Sequence, residues 1–427
     1  TRRLVKAAYE KGESNTIMIA TPSSFSTRAS VLLNAATASY LLYKLLKVLV
    51  KDERWRLQLP WRRRRRPVRI WIDGCYDLTH FGHFNAFRQA RALGDYLIVG
   101  LNPDSEVVKH KGSPPIMREE ERAAAVKACK WVDEVVMDVP YVLDAKYLNE
   151  FVFKEMNVDY VVHGDDPCLD AEGNDVYATS KQAGKYREIK RTEGVSTTDL
   201  VGRMLLMTRD HHSHRSPVKE ETGGTPTSKI VWGEGSFSNF MPTSRRIAEF
   251  SSNRRPQPTD RVVYVDGAFD LLHNAHVEFL KRARSHGDFL IVGVHKDEVV
   301  NKYKGSNFPI MNLQERVLGV LSCRYVDEVV IGAPWEVSED MITTFNISVV
   351  AHGTEYESTG GREDYDAAYR VPKEQGIFVE IPSDKSISID EIIQRVIGQR
   401  QRIEERQKKK KTQEKAYYAS KSFVEEK

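Results

Sequence analysis

The sequence is poor in residues that mark a metal or disulfide framework, and it lacks a strong net charge. Its 427 residues include four cysteines, widely spread and without a Cys-x-x-Cys pair, so neither a zinc site nor a disulfide scaffold is expected. Such sparse thiols suit a reducing, intracellular compartment. The formal net charge is only +4, and much of the positive excess lies in Arg62–Arg66 and Lys408–Lys411. A broad nucleic-acid-binding surface is therefore not expected.

A long uncharged apolar run is also missing. Ala29–Tyr43 carries no charge, but it is shorter than the roughly 18 to 20 residues of a membrane span. Extension to residue 50 admits Lys44 and Lys47, which would have to reach the interface. Segment 29–50 leaves three interpretations open: a short span with Arg62–Arg66 on the cytoplasmic side, an interfacial helix, or an organelle-targeting segment. We expect a cytoplasmic protein, with the cytosolic face of the endoplasmic reticulum or of the mitochondrial outer membrane as alternatives.

What the sequence does contain is an internal repeat. Val68–Asp77 (VRIWIDGCYD) returns as Val262–Asp270 (VVYVDGAFD), and Gly94–Gly100 (GDYLIVG) returns as Gly287–Gly293 (GDFLIVG). Further segments agree in the same order, so the chain contains two copies of one domain. We predict an N-terminal extension over 1–67, copy one over 68–207, a linker over 208–260, copy two over 261–400 and a charged tail over 401–427.

Within each copy, short β-branched runs alternate with longer helical patterns. In copy one the predicted strands are 69–72, 96–101, 134–137 and 160–162, and the predicted helices are 84–93, 118–128 and 145–156. This alternation predicts an α/β fold whose parallel sheet is covered by helices on both faces. Ligands of such folds bind at the carboxyl ends of the strands, where the polar motifs of this sequence lie.

The stretch between the copies has the composition of a linker, rich in Ser, Thr, Pro, Gly and charge. It contains His211, His212 and His214. A solvated polar linker explains them better than a metal site, because no other ligand cluster accompanies them. Residues 242–251 are predicted to form one short bridging helix.

The first chemical motif, His80-Phe81-Gly82-His83, follows the first predicted strand and opens the next helix. Two histidines three residues apart lie on one face of a helix start, where backbone N–H groups are free and the dipole attracts anions. Gly82 lets a phosphate approach the backbone. Two surface histidines are the ordinary interpretation of so short a pattern. Asp73-Gly74 and Asp77 beside it favour a site for the α-phosphate of a nucleoside triphosphate, with the imidazoles donating hydrogen bonds.

A second motif, Arg191–Thr198 (RTEGVSTT), precedes a predicted helix. Ser and Thr at such a place are ordinary helix caps, but the same hydroxyls and free N–H groups suit β- and γ-phosphates, with Arg191 stabilising a departing pyrophosphate. Lys109–Gly112, predicted to lie in the loop after the second strand, offers a cation between two phosphates. His163–Asp166 ends a strand, where base or ribose contacts and a Mg²⁺-coordinating carboxylate are expected.

These motifs together resemble the cytidylyltransferase family of the nucleotidyltransferase superfamily, over residues 68–207 and 261–397. The resemblance implies two tandem Rossmann-like domains of the HxGH type, transfer of CMP from CTP to a phosphorylated alcohol, and Mg²⁺ entering with CTP. It implies that His80 and His83 act at the α-phosphate and that Lys111 bridges the two substrates. It places Tyr141 near the substrate amine. It further implies CTP contacts by Gly74, Cys75, Tyr76, His163, Gly164, Asp165, Asp166, Arg191, Thr192, Gly194, Ser196, Thr197 and Thr198.

The acceptor is inferred from the architecture. Choline-specific members of the family resemble one such domain followed by a long amphipathic helix, whereas tandem copies resemble members that act on phosphoethanolamine. The tail is short and charged, and is a poor lipid-binding helix. CTP and phosphoethanolamine are thus the expected partners, in phospholipid synthesis. Phosphocholine, glycerol phosphate, adenylyl transfer and a membrane-bound scaffold with vestigial sites are the alternatives, and a homodimer is left open.

Copy two departs from the pattern at phosphate-binding positions. Its counterpart of the first motif, His273–His276, has Ala275 in place of glycine. Its counterpart of the second, Pro382–Ile389, has no arginine and places Ile389 at the last threonine. We expect copy one to dominate catalysis, and copy two to bind nucleotide weakly or to act as a structural partner. The alternative is that Lys385 substitutes for the arginine and that copy two is the working site. The candidate contacts that remain in copy two are Ala268, Phe269, His273, His276, Lys304, His352 and Gly353.

Overall fold

The computed structural model describes residues 66–427 except 166–167, 169–174, 193, 207–239, 253, 307, 356–360, 384–386, 403–404, 406–411 and 413–427. Segment 29–50, the three linker histidines, Asp166 and most of the tail lie outside the described residues. In the described part of the chain no helix has both the length and the apolar character needed to cross a bilayer.

Copy one forms a five-stranded parallel sheet. Its strands are β1 (Arg69–Gly74), β2 (Tyr96–Leu101), β3 (Glu134–Val136), β4 (Tyr160–Gly164) and β5 (Tyr186–Ile189). They lie in the order β3-β2-β1-β4-β5. Ile70 and Leu97 pack into a cluster on one face of the sheet, and Trp71 and Ile98 into a cluster on the other, as strand alternation requires. The predicted α/β class is confirmed.

The helices of copy one differ from the prediction in two places that matter for the site. They are α1 (Phe81–Ala92), α2 (Asp104–Lys111), α3 (Glu119–Lys127), a π-helical segment (Tyr147–Glu155), α4 (Ala178–Gln182) and α5 (Thr197–Leu206). Helix α1 begins three residues earlier than predicted, so His80 is its N-cap. The loop predicted around Lys111 is wrong, because that residue ends α2 and Gly112 terminates the helix with a left-handed φ of 74°.

Copy two repeats this topology. Its strands are β6 (Val262–Gly267), β7 (Phe289–His295), β8 (Glu328–Ala333), β9 (Ile347–Gly353) and β10 (Phe378–Ile381), in the order β10-β9-β6-β7-β8. Helix α6 (Phe240–Phe250) precedes it, and α7 (Asn274–Arg284), α8 (Asp297–Lys304), α9 (Leu313–Leu321), α10 (Glu339–Thr344), α11 (Arg362–Ala368), α12 (Arg370–Glu374) and α13 (Ile389–Gly398) belong to it. Helix α6 is the bridging helix predicted from the linker.

The two copies meet through equivalent surfaces. Cys129 pairs with Cys323 in an antiparallel bridge at the centre, and both side chains are buried. On one side Arg395 makes a bidentate ion pair with Glu121, at 2.7 and 3.0 Å. The equivalent Arg203 binds Glu315 in the same way, at 2.6 and 2.9 Å. Because each copy gives the other the same contact, the pair has the arrangement of a two-fold dimer within one chain.

Candidate active site

The turn after β1 brings the first motif to the carboxyl edge of the sheet. Tyr76 and Leu78 have left-handed backbone conformations, with φ of 50° and 46°. Non-glycine residues rarely adopt this region, so the surrounding contacts must hold the turn in place. A Cβ atom on Gly74 would lie 3.1 Å from the Tyr76 ring. A side chain here would crowd the ring of Tyr76, which lies over the backbone of the turn.

The side chains of Asp77 and Arg122 fix this turn through hydrogen bonds that no sequence pattern predicts. The Asp77 carboxylate accepts hydrogen bonds from the backbone N–H groups of Ile116 and Met117, each at 2.9 Å. The fully buried Arg122 donates to the carbonyl oxygen of Cys75 at 2.6 Å. Buried charges in such positions are retained only when hydrogen-bonded, which makes these contacts structural requirements of the site.

The two histidines of the first motif stack on each other at the start of α1. Their ring centroids lie 4.0 Å apart at an angle of 24°. The Nδ1 atom of His80 accepts the backbone N–H of Gly82 at 3.1 Å. A neutral His80 must therefore carry its proton on Nε2, which can donate to a ligand. The Nδ1 atom of His83 is buried and makes no hydrogen bond with any described residue, so it is a polar group that a ligand could satisfy.

Both imidazoles are held neutral. Burial lowers the pKa of His83 to about 3, and the positive charges of Lys111 and Arg191 act in the same direction. Burial and the neighbouring His83 hold the pKa of His80 well below its usual range. Neutral rings close to two cations can donate hydrogen bonds to phosphate oxygens without adding repulsion between like charges.

The absence of a side chain at Gly82 leaves room for the imidazole of His80. A Cβ atom at this position would lie 2.9 Å from the His80 ring and 3.0 Å from Cγ1 of Val195. The sequence predicts this glycine for the approach of a phosphate, and the structure shows that it also leaves room for the His80 imidazole. In copy two the residue at this position is Ala275, and the helix start is stabilised differently, with the N–H of His273 donating to Nδ1 of His276 at 3.4 Å.

Lys111 reaches the site from the last turn of α2. Its Nζ atom lies 5.5 Å from the centre of the Tyr141 ring. His110 stacks on the same ring at 4.7 Å, and Glu106 lies 3.4 Å from His110. Tyr141, predicted to lie near the substrate amine, thus contacts the lysine that was predicted to bridge the phosphates.

The second motif wraps around the start of α5, and its hydroxyl groups already have structural roles. Thr192 accepts a hydrogen bond from Asn85 at 2.9 Å, and Ser196 caps the helix by accepting the N–H of Asp199 at 3.1 Å. Thr197 donates to the carbonyl oxygen of Asp77 at 3.0 Å. Gly194 has a φ of 82°, and Thr198 lies in the first turn of the helix. This motif is therefore joined directly to the turn that carries the histidines.

Arg191 is positioned by His163–Asp166, the motif at the end of β4. Its backbone N–H donates to the Asp165 carboxylate at 2.9 Å, immediately after β4. Through this bond the residues that follow β4 hold the loop that follows β5. Gly164 is the last residue of β4, and the neighbouring His163 ring lies 4.8 Å from the Tyr177 ring.

The floor of the site holds a buried carboxylate that the sequence analysis did not assign. Asp73 accepts from Nε1 of Trp71 at 3.0 Å and from the Tyr177 hydroxyl at 3.5 Å. Burial raises the pKa of Asp73 from 3.8 to about 6, although the charge of His163 opposes the rise. A buried carboxylate beside aromatic rings is suited to binding an organic cation.

In copy two, every residue predicted as a nucleotide contact lines one cavity of about 660 Å³. The strands place Ser383 at the position of Arg191 and Ile389 at the position of Thr197. In this strand register Ile389 corresponds to Thr197. The sequence comparison of the second motif, which matched Ile389 to Thr198, is therefore wrong by one residue. Ile389 has no hydroxyl to join the helix start to the turn after β6.

Comparison with known proteins follows the same division of the chain. The family model described as cytidylyltransferase-like matches residues 71–203 and 264–407. Ethanolamine-phosphate cytidylyltransferase of Arabidopsis thaliana is 51% identical over 379 residues, which covers 86% of this chain and 90% of the relative. The protein of the same name from Dictyostelium discoideum is 50% identical, covering 82% and 96%. The chain belongs to the ethanolamine-phosphate cytidylyltransferase family.

The enzyme class and the tandem arrangement predicted from the motifs are thereby confirmed, and the chain is a nucleotidyltransferase. Choline-phosphate cytidylyltransferase 2 of Arabidopsis thaliana is 44% identical over 144 residues, which covers only 33% of this chain and 45% of the relative. Similarity to that protein thus has the extent of a single copy, whereas similarity to the ethanolamine-phosphate enzymes extends over both copies.

The described part of the chain contains no dedicated metal site. Across the residues that the structure describes, no group of three or more His, Cys, Asp or Glu side chains is suited to holding a metal ion. The Asp165 carboxylate accepts the N–H of Arg191, so at least one of its oxygens is engaged. These residues do not fit a metal centre built by the protein, and we assign no catalytic step to one.

Acid is expected to destabilise this fold through its buried histidines. His83 and His276 have folded-state pKa values of about 3, below the ordinary 6.5, because burial disfavours their charged form. Their stabilising contribution is complete above pH 6.5 and is lost as the pH falls toward 3, since the unfolded chain takes up the protons first. At pH 5 each histidine should lower the free energy of unfolding by about 2 kcal/mol relative to pH 7.

Urea unfolding of the wild type and of the double variant His83→Gln/His276→Gln, at pH 7 and pH 5, measures this effect. The double variant should lose less stability between the two pH values. Asp73 acts in the opposite direction, because its raised pKa makes the folded state more stable as the pH falls from 6 to 4, but it is common to both proteins. Equal acid sensitivity of the two proteins would contradict the assignment of neutral buried histidines.

Proposed function

We propose that this enzyme transfers CMP from CTP to phosphoethanolamine, forming CDP-ethanolamine and pyrophosphate for phosphatidylethanolamine synthesis. The observation that carries the proposal is the stacked pair of neutral histidines at a helix N-terminus, with Lys111 and Arg191 close enough to lower the His83 pKa. The names of the full-length relatives and the tandem architecture support phosphoethanolamine as the acceptor.

In the proposed reaction a phosphate oxygen of the acceptor attacks the α-phosphorus of CTP. A new P–O bond forms, the bond from the α-phosphorus to the oxygen shared with the β-phosphate breaks, and pyrophosphate leaves with the electron pair. His80 donates from Nε2 to the α-phosphate oxygens, on which negative charge grows in the transition state. Lys111 holds the acceptor phosphate against the α-phosphate, and Arg191 stabilises the leaving pyrophosphate. We further propose that Mg²⁺ enters bound to CTP, where it neutralises phosphate charge.

The amine of the acceptor is assigned to the floor of copy one. Asp73 is the buried carboxylate there, and Trp71 and Tyr177 surround it. An ammonium group would be attracted by the carboxylate charge. Since protonation of Asp73 near pH 6 would remove that charge, the KM for phosphoethanolamine should rise as the pH falls below 6.

A pyrophosphate-release assay tests the function. We expect turnover with CTP and phosphoethanolamine, and much less with phosphocholine, glycerol phosphate or ATP. A preference for phosphocholine would keep the reaction type and change the acceptor. Failure to bind CTP would favour the alternative of a membrane-associated scaffold whose nucleotide sites are vestigial.

We also propose that segment 29–50 associates with the cytosolic face of an organelle membrane. Deletion of residues 1–66 should leave an active enzyme, because no element of the repeat lies in that stretch. Full-length protein should sediment with membranes and resist a salt wash, whereas the shortened protein should not sediment. Release of the full-length protein by salt alone would assign the attachment to Arg62–Arg66, and a full-length protein that never sediments would contradict the proposal.

A further inference from the structure

The loop that carries Arg191 is held by two side chains of α1 that the proposed mechanism does not use. Asn85 donates from Nδ2 to the hydroxyl oxygen of Thr192 at 2.9 Å. Gln89 donates from Nε2 to the carbonyl oxygen of Lys190, also at 2.9 Å. Because residues four apart lie on one face of a helix, this face of α1 contacts the loop on both sides of the arginine. The helix that begins with the two histidines therefore also positions the cation proposed for the leaving group.

The direction of the Asn85 amide is fixed by Arg88. Nε of Arg88 donates to Oδ1 of Asn85 at 2.9 Å. A guanidinium has no acceptor, so the atom of Asn85 that faces it must be the oxygen, and the NH₂ group must point to Thr192. The Thr192 oxygen therefore accepts, and the proton of its hydroxyl is not used in this bond. That proton can be donated to an anion bound at the loop.

Arg88 is in turn held by the bridging helix α6. Its Nη2 atom lies 3.0 Å from a carboxylate oxygen of Glu249, and the two side chains are 25% and 30% exposed. The next residue, Phe250, is buried, and its ring meets Trp131 edge-on at 5.0 Å. Lys130 donates to the carbonyl oxygen of Phe250. Glu249 is thus fixed beside a buried anchor, in a place from which it holds Arg88.

These four side chains form a series of hydrogen bonds with one direction. The carboxylate accepts, the guanidinium only donates, the amide accepts at one end and donates at the other, and the hydroxyl accepts and keeps its own proton. The charged pair at one end polarises the bonds that follow. The other end of the series is the loop that is proposed to bind the β- and γ-phosphates.

Copy two retains one of the two contacts between this helix and the loop. Arg282 of α7, at the place of Gln89, donates to the carbonyl oxygen of Pro382 directly after β10, at 2.9 Å. The place of Asn85 is taken by Glu278, whose carboxylate accepts hydrogen bonds from Arg282 and from a neighbouring lysine of its own helix. An ionised carboxylate cannot donate, so Glu278 cannot act as the Asn85 amide does. The donor to the loop therefore distinguishes copy one from copy two.

We propose that Asn85 is a positioning residue of copy one, which holds Thr192 as a hydrogen-bond donor to the β- and γ-phosphates of the nucleotide. Arg88 sets the direction of the Asn85 amide, and Glu249 holds Arg88, so the bridging helix supports this site through its own side chain. The identity of the ligand rests on the proposed function, in which pyrophosphate leaves from this loop.

Calorimetric titration of the full-length protein with pyrophosphate tests this, together with turnover. Asn85→Asp keeps the size of the side chain and the acceptor for Arg88, but its carboxylate would accept the Thr192 proton and so take it away from the phosphates. We expect the dissociation constant for pyrophosphate to rise roughly 10-fold or more, and kcat/KM for CTP to fall by a similar factor. The KM for phosphoethanolamine should stay unchanged, since the acceptor does not contact this loop in the proposed reaction.

A double-mutant cycle separates an effect through Thr192 from an effect of the added charge. Thr192→Val removes the hydroxyl at similar size and should weaken pyrophosphate by about the same factor, whereas Thr192→Ser keeps a hydroxyl and should retain most of the affinity. If Asn85 acts through Thr192, Asn85→Asp should cause no further loss in the Thr192→Val protein. Repulsion by the new carboxylate alone would persist in that protein, and this result would overturn the proposal.

Glu249→Ala tests the contribution of the bridging helix. It releases Arg88 and should weaken pyrophosphate a few-fold. Arg245→Ala is the matched control, because Arg245 is 82% exposed and pairs with the other oxygen of Glu249 at 3.0 Å, so its loss leaves the contact with Arg88 in place. Glu278→Gln, the equivalent site in copy two, should likewise change neither binding nor turnover. Equal effects of Glu249→Ala and Arg245→Ala would overturn the role of the bridging helix. Thermal melts establish that each variant is folded.

Pyrophosphate release with phosphoethanolamine separates this inference from the proposed function. Absence of turnover, together with pyrophosphate binding that depends on Asn85 and Thr192, would overturn the proposed acceptor and support the role of Asn85. Normal turnover and pyrophosphate binding that Asn85→Asp leaves unchanged would support the function and overturn the role of Asn85.

Discussion

Replacing His83 by alanine is expected to lower turnover by about 10²-fold or more, whereas the same change at His276 should lower it only a few-fold. Removal of one hydrogen-bond donor to a developing oxyanion costs on the order of 10²- to 10³-fold in kcat. Because this contact matters mainly in the transition state, kcat should fall more than the affinity for CTP. His80→Ala should behave like His83→Ala, since Nε2 of His80 is free to donate.

The asymmetry between the copies has a structural basis. In copy one both Lys111 and Arg191 lie close enough to lower the pKa of His83, whereas among the described residues of copy two Lys304 is the one cation that acts on His276. The contact that Arg191 would make with a departing phosphate contributes roughly 1.5 to 3 kcal/mol. The described residues of copy two therefore offer no counterpart of this contact, even though its histidine pair, at 4.0 Å, has the same ring separation.

The two histidine variants form a matched pair for the experiment. Both side chains have a pKa of about 3 for the same reason, burial, so their replacement should change folding stability by similar amounts. A difference in turnover then reports on catalysis. A loss confined to His276→Ala would reverse the assignment, and equal losses in both variants would show that the two sites are coupled.

The sequence was most informative in the repeated segments that also carry candidate catalytic residues. The first motif, its position after a strand and its return at His273 were enough to predict the α/β class, the tandem copies and the histidine pair. Helix α2 was missed because Asp104–Lys111 is short and polar, with one fully buried residue, Val107, and so has weak periodicity. A short polar segment gives no signal that tells a surface helix from a loop.

The residues that hold the active-site turn were missed for a different reason. Asp77 and Arg122 bind backbone groups that are distant in sequence, so no local pattern reveals their partners. The signal that could have found them is the repeat. Asp270 and Arg316 recur at the corresponding places in copy two and make the corresponding bonds to Met311 and Ala268. A polar residue kept in both copies, although the catalytic motifs have diverged, indicates a structural role.

Replacing Arg395 by alanine is expected to destabilise the protein by about 3 to 5 kcal/mol, because it leaves a buried carboxylate without its cation. The side chains of Arg395 and Glu121 are only 16% and 10% exposed. Burial acts to raise the pKa of Glu121, but hydrogen bonds from Arg395 and from the backbone N–H of Arg118 together lower it. The equivalent variant Arg203→Ala should have a similar effect, since Glu315 is 5% exposed.

A double-mutant cycle separates the ion pair from the packing of the arginine side chain. Arg395→Ala/Glu121→Gln should be less destabilised than the sum of the single variants, because no unpaired charge remains. The loss should also affect the site of copy one, since Glu121 lies in α3, which begins two residues after Met117, whose N–H group binds Asp77. Arg395→Ala should therefore lower turnover below its melting temperature, although Arg395 belongs to copy two. Additive effects on stability, together with unchanged turnover, would mean that the interface holds the copies together without supporting the active site.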